Sequence, residues 1–386
     1  MQRPLSPSVR KIALLGSTGS IGQSALQVVR HLPENLQIVA LAARSSLDLL
    51  EQQVHEFRPA IVAVGDEQKA REFQKRVPHV EVVAGTSGLC QAASHPDADI
   101  ALFAMSGSGA LMPAIEAIRA RKQIALANKE ILVSAGELIM RLARENGVAV
   151  IPVDSEHSAL FQCLQGQDPK SVRRLILTAS GGPFRTYSAE RLSTISVTEA
   201  LSHPNWKMGA KITIDSSTLM NKGLELIEAR WLFDVPIESV EVIVHPQSVV
   251  HSMVEYCDGS ILAQMSQPDM VLPIQYALTW PERKPGLLAP FDFSRYSHLT
   301  FEAPDRKKFP CLALAEEALR RGQSYPCFLN AANEVLVERL IRNDLRWADI
   351  GFKLEKLMSF HRPVDMVSLE SILLVDQEAR ELSRKA

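Results

Sequence analysis

Short apolar runs rich in β-branched residues alternate with longer amphipathic runs through the first 150 residues. The run KIALLGSTGSIGQSALQVVR (11–30) reads as a strand, a glycine-rich turn and a helix. Strand-like runs follow at 37–42, 60–64, 80–84, 100–105, 123–127 and 148–151. Helical periodicity falls between them at 47–57, 67–76, 111–120 and 131–145. Strands separated by helices predict a parallel, doubly wound sheet. The pattern then changes. A strand at 174–178, an alternating run at 211–215 and a strand pair at 240–256 and 260–265, turning through Cys257, Asp258 and Gly259, suggest a second α/β segment. Prolines 281, 285, 290, 304 and 310 mark a connector. Helical periodicity returns at 311–321, 330–342, 347–360 and 369–383. The predicted class is α/β: an N-terminal Rossmann-like doubly wound parallel sheet (1–153), a central α/β catalytic domain (154–283), a linker (284–310) and a C-terminal helical bundle (311–386).

The turn after the first strand places Gly16, Gly19 and Gly22 around Thr18, Ser20 and Ile21. Glycines at this spacing let backbone amides approach a pyrophosphate at the positive end of a helix, although a plain strand-to-helix turn would look similar. After the second strand come Ala43, Arg44, Ser45 and Ser46. An NAD enzyme places a carboxylate near there; a guanidinium and hydroxyls suit the 2′-phosphate of NADPH instead. The alternative is that Arg44 is a solvated surface residue.

The stretch VAVIPVDSEHSALFQ (148–162) organises the candidate chemistry. Its apolar start reads as a strand buried on both faces, with pairing ending near Pro152, which lacks an amide donor. If the chain stays extended, Asp154 and Glu156 face one space, and two carboxylates so close favour a hard divalent cation between them. The competing reading is a helix cap at Asp154 or Ser155, before an apolar face of Leu160, Phe161 and Leu164. Asn221, Lys222 and Glu225 share one helix side by their i,i+3 and i,i+4 steps, with Ser216, Ser217 and Thr218 as caps. They are either a surface ion pair or a third metal carboxylate beside phosphate-binding groups. Lys129, with Asn128 and Glu130, opens a helix whose dipole a lysine does not suit, which favours a ligand-facing role. Ser180, Gly181 and Gly182 form either an anion nest or a structural turn. His203, Trp206, Met208 and Gly209, around Pro204, Asn205 and Lys207, suggest an apolar flap near 203–209, unless Trp206 anchors the core. His245 and His251 are compatible with ordinary half-buried histidines.

Composition narrows the partners. With 42 basic and 44 acidic residues the net charge is −2, which gives no reason to expect nucleic acid or an anionic membrane. Five scattered cysteines read as reduced thiols in a cytoplasmic protein. The segment MQRPLSPSVRK has no apolar core for a signal peptide, and no run approaches membrane-spanning length.

Seven ordered motifs, GSTGSIG, ANKE, PVDSEHSALFQ, SGGPFR, HPNWKMG, DSSTLMNKGLELIEA and VHPQSVVHSMV, together resemble those of the 1-deoxy-D-xylulose 5-phosphate reductoisomerases. The resemblance runs from about residue 10 to the C-terminus. It implies rearrangement of 1-deoxy-D-xylulose 5-phosphate and NADPH-dependent reduction to 2-C-methyl-D-erythritol 4-phosphate in the non-mevalonate isoprenoid pathway. It also implies use of Mg²⁺, Mn²⁺ or Co²⁺ by a homodimer. Metal ligands would be Asp154, Glu156 and Glu225, joined in the catalytic set by Lys129, His157 and His203. Substrate contacts would come from Ser155, Ser180, His203, Trp206, Met208, Ser216, Asn221, Lys222 and His251. Thr18, Gly19, Ser20, Ile21, Arg44, Ser45, Asn128, Glu130, Gly209 and Met270 would lie on the cofactor side. The family often has Gly, a basic residue and Asn where this chain has Ala43, Arg44 and Ser45. Two rivals stand beside this reading: a related reductoisomerase-like dehydrogenase acting on another small phosphorylated substrate, and a catalytically silent NADPH-binding regulator.

Overall fold

The computed structural model describes residues 9–203, 206, 208–366 and 368–386. The expectations for the segment before Val9, and for Pro204, Asn205 and Lys207 of the flap, lie outside the described residues. Two compact units are formed. One holds the described residues up to Asn128 with Ile139–Ser158 and Asp269–Pro290; the other holds Lys129–Leu138, Ala159–Pro268 and Phe291–Ala386.

The first unit is built on seven strands: β1 (Arg10–Leu15), β2 (Leu36–Ala43), β3 (Ile61–Val64), β4 (Glu81–Ala84), β5 (Ile100–Phe103), β6 (Gln123–Leu126) and β7 (Val150–Pro152). All pair in parallel, in the order β4-β3-β2-β1-β5-β6-β7. Strands such as IVAV and IALF are buried along their whole length, as expected where helices cover both sheet faces. The crossovers are α1 (Ser20–His31), α2 (Leu47–Phe57), α3 (Glu67–Arg76), α4 (Gly85–Ala93), α5 (Leu111–Arg119) and α6 (Lys129–Asn146), of which Lys129–Leu138 belongs to the second unit. Strand order reverses between β1 and β5, and such a switch point opens a crevice at the strands' carboxyl ends. The predicted doubly wound sheet is therefore present.

The second unit contains a four-stranded sheet, β8 (Val172–Ala179), β9 (Val240–Val244), β10 (Val250–Tyr256) and β11 (Ile261–Met265), in the order β11-β10-β8-β9. Its helices follow α7 (Ser155–Leu164), which begins in the first unit: α8 (Ala189–Leu192), α9 (Val197–Ala200), α10 (Ala210–Ser217) and α11 (Met220–Phe233). One further helix, α12 (Val271–Thr279), belongs to the first unit. α13 (Pro310–Arg321), α14 (Tyr325–Ile341), α15 (Asp349–Phe360) and α16 (Leu369–Lys385) complete the second. α6 is broken at Ala135 (φ −140°), and a Cβ on the next residue, Gly136, would lie 2.2 Å from the Trp231 ring of α11. Glycine there lets the indole lie against the break. Among the described residues no helix is long and apolar enough to cross a membrane.

Four local expectations are corrected. The run at 211–215 is helical, part of α10, because Lys211 and Asp215 pair across one turn at 2.9 Å and Thr213, Ile214 and Asp215 are buried in succession. Alternation of short runs is ambiguous, and packing against α11 and α14 decides it. β7 is an edge strand rather than a central one, which is where Pro152 is tolerated. The chain turns helical at Ser155 instead of staying extended, and Ser158 N donates to Asp154 O at 2.8 Å. Ser216 and Ser217 lie in the last turn of α10 instead of capping α11, which starts after Leu219 in a left-handed conformation (φ 60°). The helix Gly85–Ala93 escaped the sequence reading because its residues, GTSGLCQAA, carry little periodicity.

Candidate active site

In the first unit the glycine-rich turn follows β1 at the switch point. Gly16 has φ +92°, and a Cβ on it would lie 2.7 Å from the Ala104 carbonyl beyond β5. A Cβ on Gly22 would lie 2.2 Å from Gly16 O. The turn is thus closed by backbone contact that side chains would prevent. Gly16 N and Ser17 N both donate to Ala42 O at 2.9 Å, and buried Gln53 donates to Ser17 O at 3.0 Å. Gly19 caps α1 without any side-chain bond, so the first amides of α1, from Ser20 and Ile21, face outward with the helix's partial positive charge. Arg44 and Ser45 emerge, exposed, from the end of β2, two residues beyond the Ala42 carbonyl that anchors this turn. Asn128 holds the neighbouring loop, its Nδ2 donating to Met105 O at 2.6 Å and Gly107 O at 3.0 Å. Met270 caps α12.

At the end of β7, Ser155 Oγ donates to Glu156 Oε2 at 2.5 Å. The fully buried His157 has Nδ1 3.8 Å from Asp154 Oδ2, one helical turn apart. The helical turn, not an extended pleat, therefore gathers Asp154, Ser155, Glu156 and His157.

In the second unit, α6 and α11 bring four of the expected residues together. Glu225 is fully buried and accepts from Lys129 Nζ at 3.0 Å and Asn221 Nδ2 at 2.5 Å, and pairs with Lys222 Nζ. Lys129 also donates to Asn221 Oδ1 at 2.8 Å. Lys129 and Lys222 are themselves buried. The i,i+3 and i,i+4 spacing on α11 is the cause, and the surface-pair reading of these residues is ruled out by their burial. Two ammonium groups around one carboxylate form a cluster that suits anions and, at its oxygen atoms, a hard cation.

Nearby in the same unit, Gly181 (φ +84°) and Gly182 (φ +69°) form the turn after β8, and a Cβ on Gly182 would lie 2.7 Å from Ser216 O. Ser180 Oγ accepts from Gly182 N at 3.2 Å and lies 3.1 Å from His203 Nε2. His203 Nδ1 accepts from the Trp206 backbone amide at 3.0 Å, so a neutral ring carries its proton on Nε2, toward Ser180. Trp206 and Met208 are half-buried, and exposed Gly209 caps α10. His251, on β10, is bonded through Nε2 to Ser266 Oγ at 2.8 Å. Glu130 pairs with Lys211 at 2.7 Å.

Burial lowers the pKa of His203 from the ordinary 6.5 to about 4, so the ring is neutral at neutral pH. The unfolded chain binds this proton near 6.5 and the folded chain only near 4, so stability is expected to fall as pH drops from 6.5 to 4. His245 and His361, also lowered by burial, act in the same sense. Unfolding midpoints measured against pH are expected to vary less steeply across this window in His203→Gln than in the parent.

Sequence reasoning missed Glu228, fully buried one turn beyond Glu225, and the set in which partly exposed Lys211 meets buried Asp215 and Asn333. The signal was present in both cases: Glu225 and Glu228 stand three apart, and Lys211 and Asp215 four apart.

Three family models match the chain. One described as 1-deoxy-D-xylulose 5-phosphate reductoisomerase covers residues 12–136. The C-terminal domain of the same family covers 150–233, and a further DXP reductoisomerase C-terminal domain covers 265–382. A 1-deoxy-D-xylulose 5-phosphate reductoisomerase from Protochlamydia amoebophila is 58% identical over 97% of this chain and 97% of its own length. One from Geobacter metallireducens is 51% identical over 98% and 99%. Among solved structures, the reductoisomerase from Zymomonas mobilis in complex with NADPH superposes with a TM-score of 0.92 at 41% identity, covering 99% of each chain. A DOX-P reductoisomerase in complex with NADPH, fosmidomycin and magnesium gives a TM-score of 0.92 at 38% identity over 98% of each chain. Near-complete coverage at this identity, with family models matching most of the chain, makes it a member of the 1-deoxy-D-xylulose 5-phosphate reductoisomerase family.

Proposed function

We propose that this chain carries out the NADPH- and divalent-metal-dependent conversion of 1-deoxy-D-xylulose 5-phosphate to 2-C-methyl-D-erythritol 4-phosphate in isoprenoid biosynthesis. The observation that carries the reading within the structure is the buried Lys129–Asn221–Lys222–Glu225 cluster, in a chain 58% identical to a named reductoisomerase. A silent regulator has no use for so costly a buried cluster.

Asp154, Glu156 and Glu225 would hold the dication, and their hard carboxylate oxygens fit Mg²⁺, Mn²⁺ or Co²⁺. When bound, the cation supplies Lewis acidity toward the substrate's carbonyl and hydroxyl oxygens. Lys129 and Ser155 would orient that end of the substrate. Asn221, Lys222, Ser180 and Ser216 would bind the phosphate, with His203 donating to Ser180 Oγ so that the serine hydroxyl proton points to the anion. Holding the phosphate gives orientation and binding energy remote from the reacting carbons. Trp206 and Met208 would cover the substrate and exclude water. The α1 amides would bind the NADPH pyrophosphate, with Thr18 and Gly19 alongside, and Arg44 and Ser45 its 2′-phosphate. Glu130, Gly209 and Met270 complete the cofactor side in this reading, while His157 and His251 support the active-site shell. The enzyme works in this reading as a cytoplasmic homodimer without nucleic-acid or membrane partners.

The direct test is NADPH oxidation by purified protein with 1-deoxy-D-xylulose 5-phosphate and Mn²⁺. Turnover supports the reading. No turnover from well-folded protein removes it, and turnover with a different phosphosugar favours a related dehydrogenase. Arg44→Ala is expected to lower the preference for NADPH over NADH about tenfold or more, through loss of a charge-assisted contact. Ratios of kcat/KM for the two coenzymes check this, and an unchanged ratio assigns the 2′-phosphate elsewhere.

A further inference from the structure

The roles above use only Glu130 from one largely buried ionic cluster. Lys211 on α10 donates to Glu130 Oε1 at 2.7 Å and pairs with Asp215 Oδ2 at 2.9 Å. Asp215 Oδ1 in turn accepts from the fully buried Asn333 Nδ2 of α14 at 2.8 Å. On the same helix Asn330 donates to Glu334 Oε1 at 3.3 Å, and Arg380 of α16 reaches both Glu334 and Asp376. The Glu130 and Asp215 side chains are 8% and 1% exposed, and that of Lys211 is 24% exposed. Burial disfavours the charge of Lys211, but Asp215, Glu130 and Glu334 outweigh it and hold the ammonium above the lysine range. Burying so many charges is costly, and apolar residues of similar volume commonly stabilise a fold as well or better. Stability alone therefore gives no reason for this cluster.

Its chain positions give one. Glu130 directly follows Lys129 at the start of α6, and Asp215 directly precedes Ser216 at the end of α10. Lys211 joins those two turns, and Asn333 braces the joint from α14. A lysine opening a helix faces an unfavourable dipole, so Lys129 needs its turn held by something other than helix energetics.

We infer that Lys211 is a positioning residue: its clasp between Glu130 and Asp215 sets the places of Lys129 and Ser216. It touches no substrate and acts through its neighbours. With methionine at 211, two buried carboxylates lose their shared counter-charge and the first turn of α6 loses its tie to α10. The inference rests on the proposed function for its kinetic arm.

The experiment compares Lys211→Met, Lys211→Arg, Lys129→Ala and the Lys129→Ala/Lys211→Met double variant. Lys211→Met is expected to melt cooperatively and to lose about tenfold in kcat through misplacement of Lys129, with Lys211→Arg recovering most of it. In the Lys129→Ala background Lys211→Met is expected to cost less than about twofold, because groups acting as a unit are not additive. A second arm needs no turnover: aqueous acetylation of lysines read by mass spectrometry. Lys129 is expected to become several-fold more reactive in Lys211→Met, while Lys122, buried in the other unit, stays protected. Any of three results overturns the inference: kcat within twofold of the parent, a loss that multiplies fully with that of Lys129→Ala, or equal deprotection of Lys122. Should Lys211→Met not fold, Asp215→Asn carries the same expectations and the same overturning results. If the parent itself shows no turnover the proposed function fails, and the acetylation arm alone decides the positioning role.

Discussion

Glu225→Gln is expected to lower kcat by about a hundredfold or more and to weaken divalent-cation affinity, since a transition-state electrostatic contact of this kind is commonly worth that much. Glu225 is fully buried and accepts from Lys129, Asn221 and Lys222 at once. A carboxylate only accepts, whereas a glutamine amide must direct two hydrogens at groups that are themselves donors. Two buried ammonium groups then lose their counter-charge, which costs on the order of 3–5 kcal/mol in the metal-free protein. A lowered melting temperature without metal should therefore accompany the kinetic loss. NADPH affinity, which the proposed reading assigns to the glycine-rich turn, should hardly change. Steady-state rates against Mn²⁺ concentration, Mn²⁺ titration calorimetry and NADPH fluorescence separate these effects. Activity close to the parent at limiting Mn²⁺ would assign the third metal carboxylate to another residue.

The order of elements in the first unit was legible because each parallel strand is a short apolar run between longer amphipathic ones. All seven strands and most of the crossover helices stand close to where periodicity put them. The misread elements share a physical reason. Over five residues, Lys211 to Asp215, alternation satisfies a strand and a helix equally, and the deciding contacts come from α11 and α14, more distant in sequence. At Asp154 the strand end was legible in Pro152 and the helix beyond it stood as one of two readings, undecided because Ser155-Glu156-His157 opens a helix as readily as it extends a strand. The candidate site was legible where spacing on one helix dictates it, as for Asn221, Lys222 and Glu225. Lys129 could be suspected only from its misfit with the helix dipole, and its bond to Glu225, 96 residues away in sequence, is a product of the fold. Resemblance supplied what spacing does not, namely which carbons move and which end of the substrate each residue meets.

Lys222→Ala is the second large effect expected. An ammonium buried at 3% exposure on α11 has Glu225 as its neighbour and, in the proposed reading, the substrate phosphate as its purpose. Removing a hydrogen bond to a charged group costs about 1.5–3 kcal/mol, so kcat/KM should fall roughly tenfold to a hundredfold. Alanine suits a helix better than lysine, and the residue lies in the first turn of α11, so the fold should persist. The balance between KM and kcat carries the information. A phosphate handle bound alike in ground and transition state raises KM and leaves kcat nearly untouched, whereas a role confined to orienting Glu225 leaves KM alone and shifts the Mn²⁺ dependence instead. Initial rates over a matrix of substrate and Mn²⁺ concentrations distinguish the two. A raised KM with an unshifted Mn²⁺ midpoint assigns Lys222 to the phosphate; the reverse pattern transfers it to the metal carboxylate.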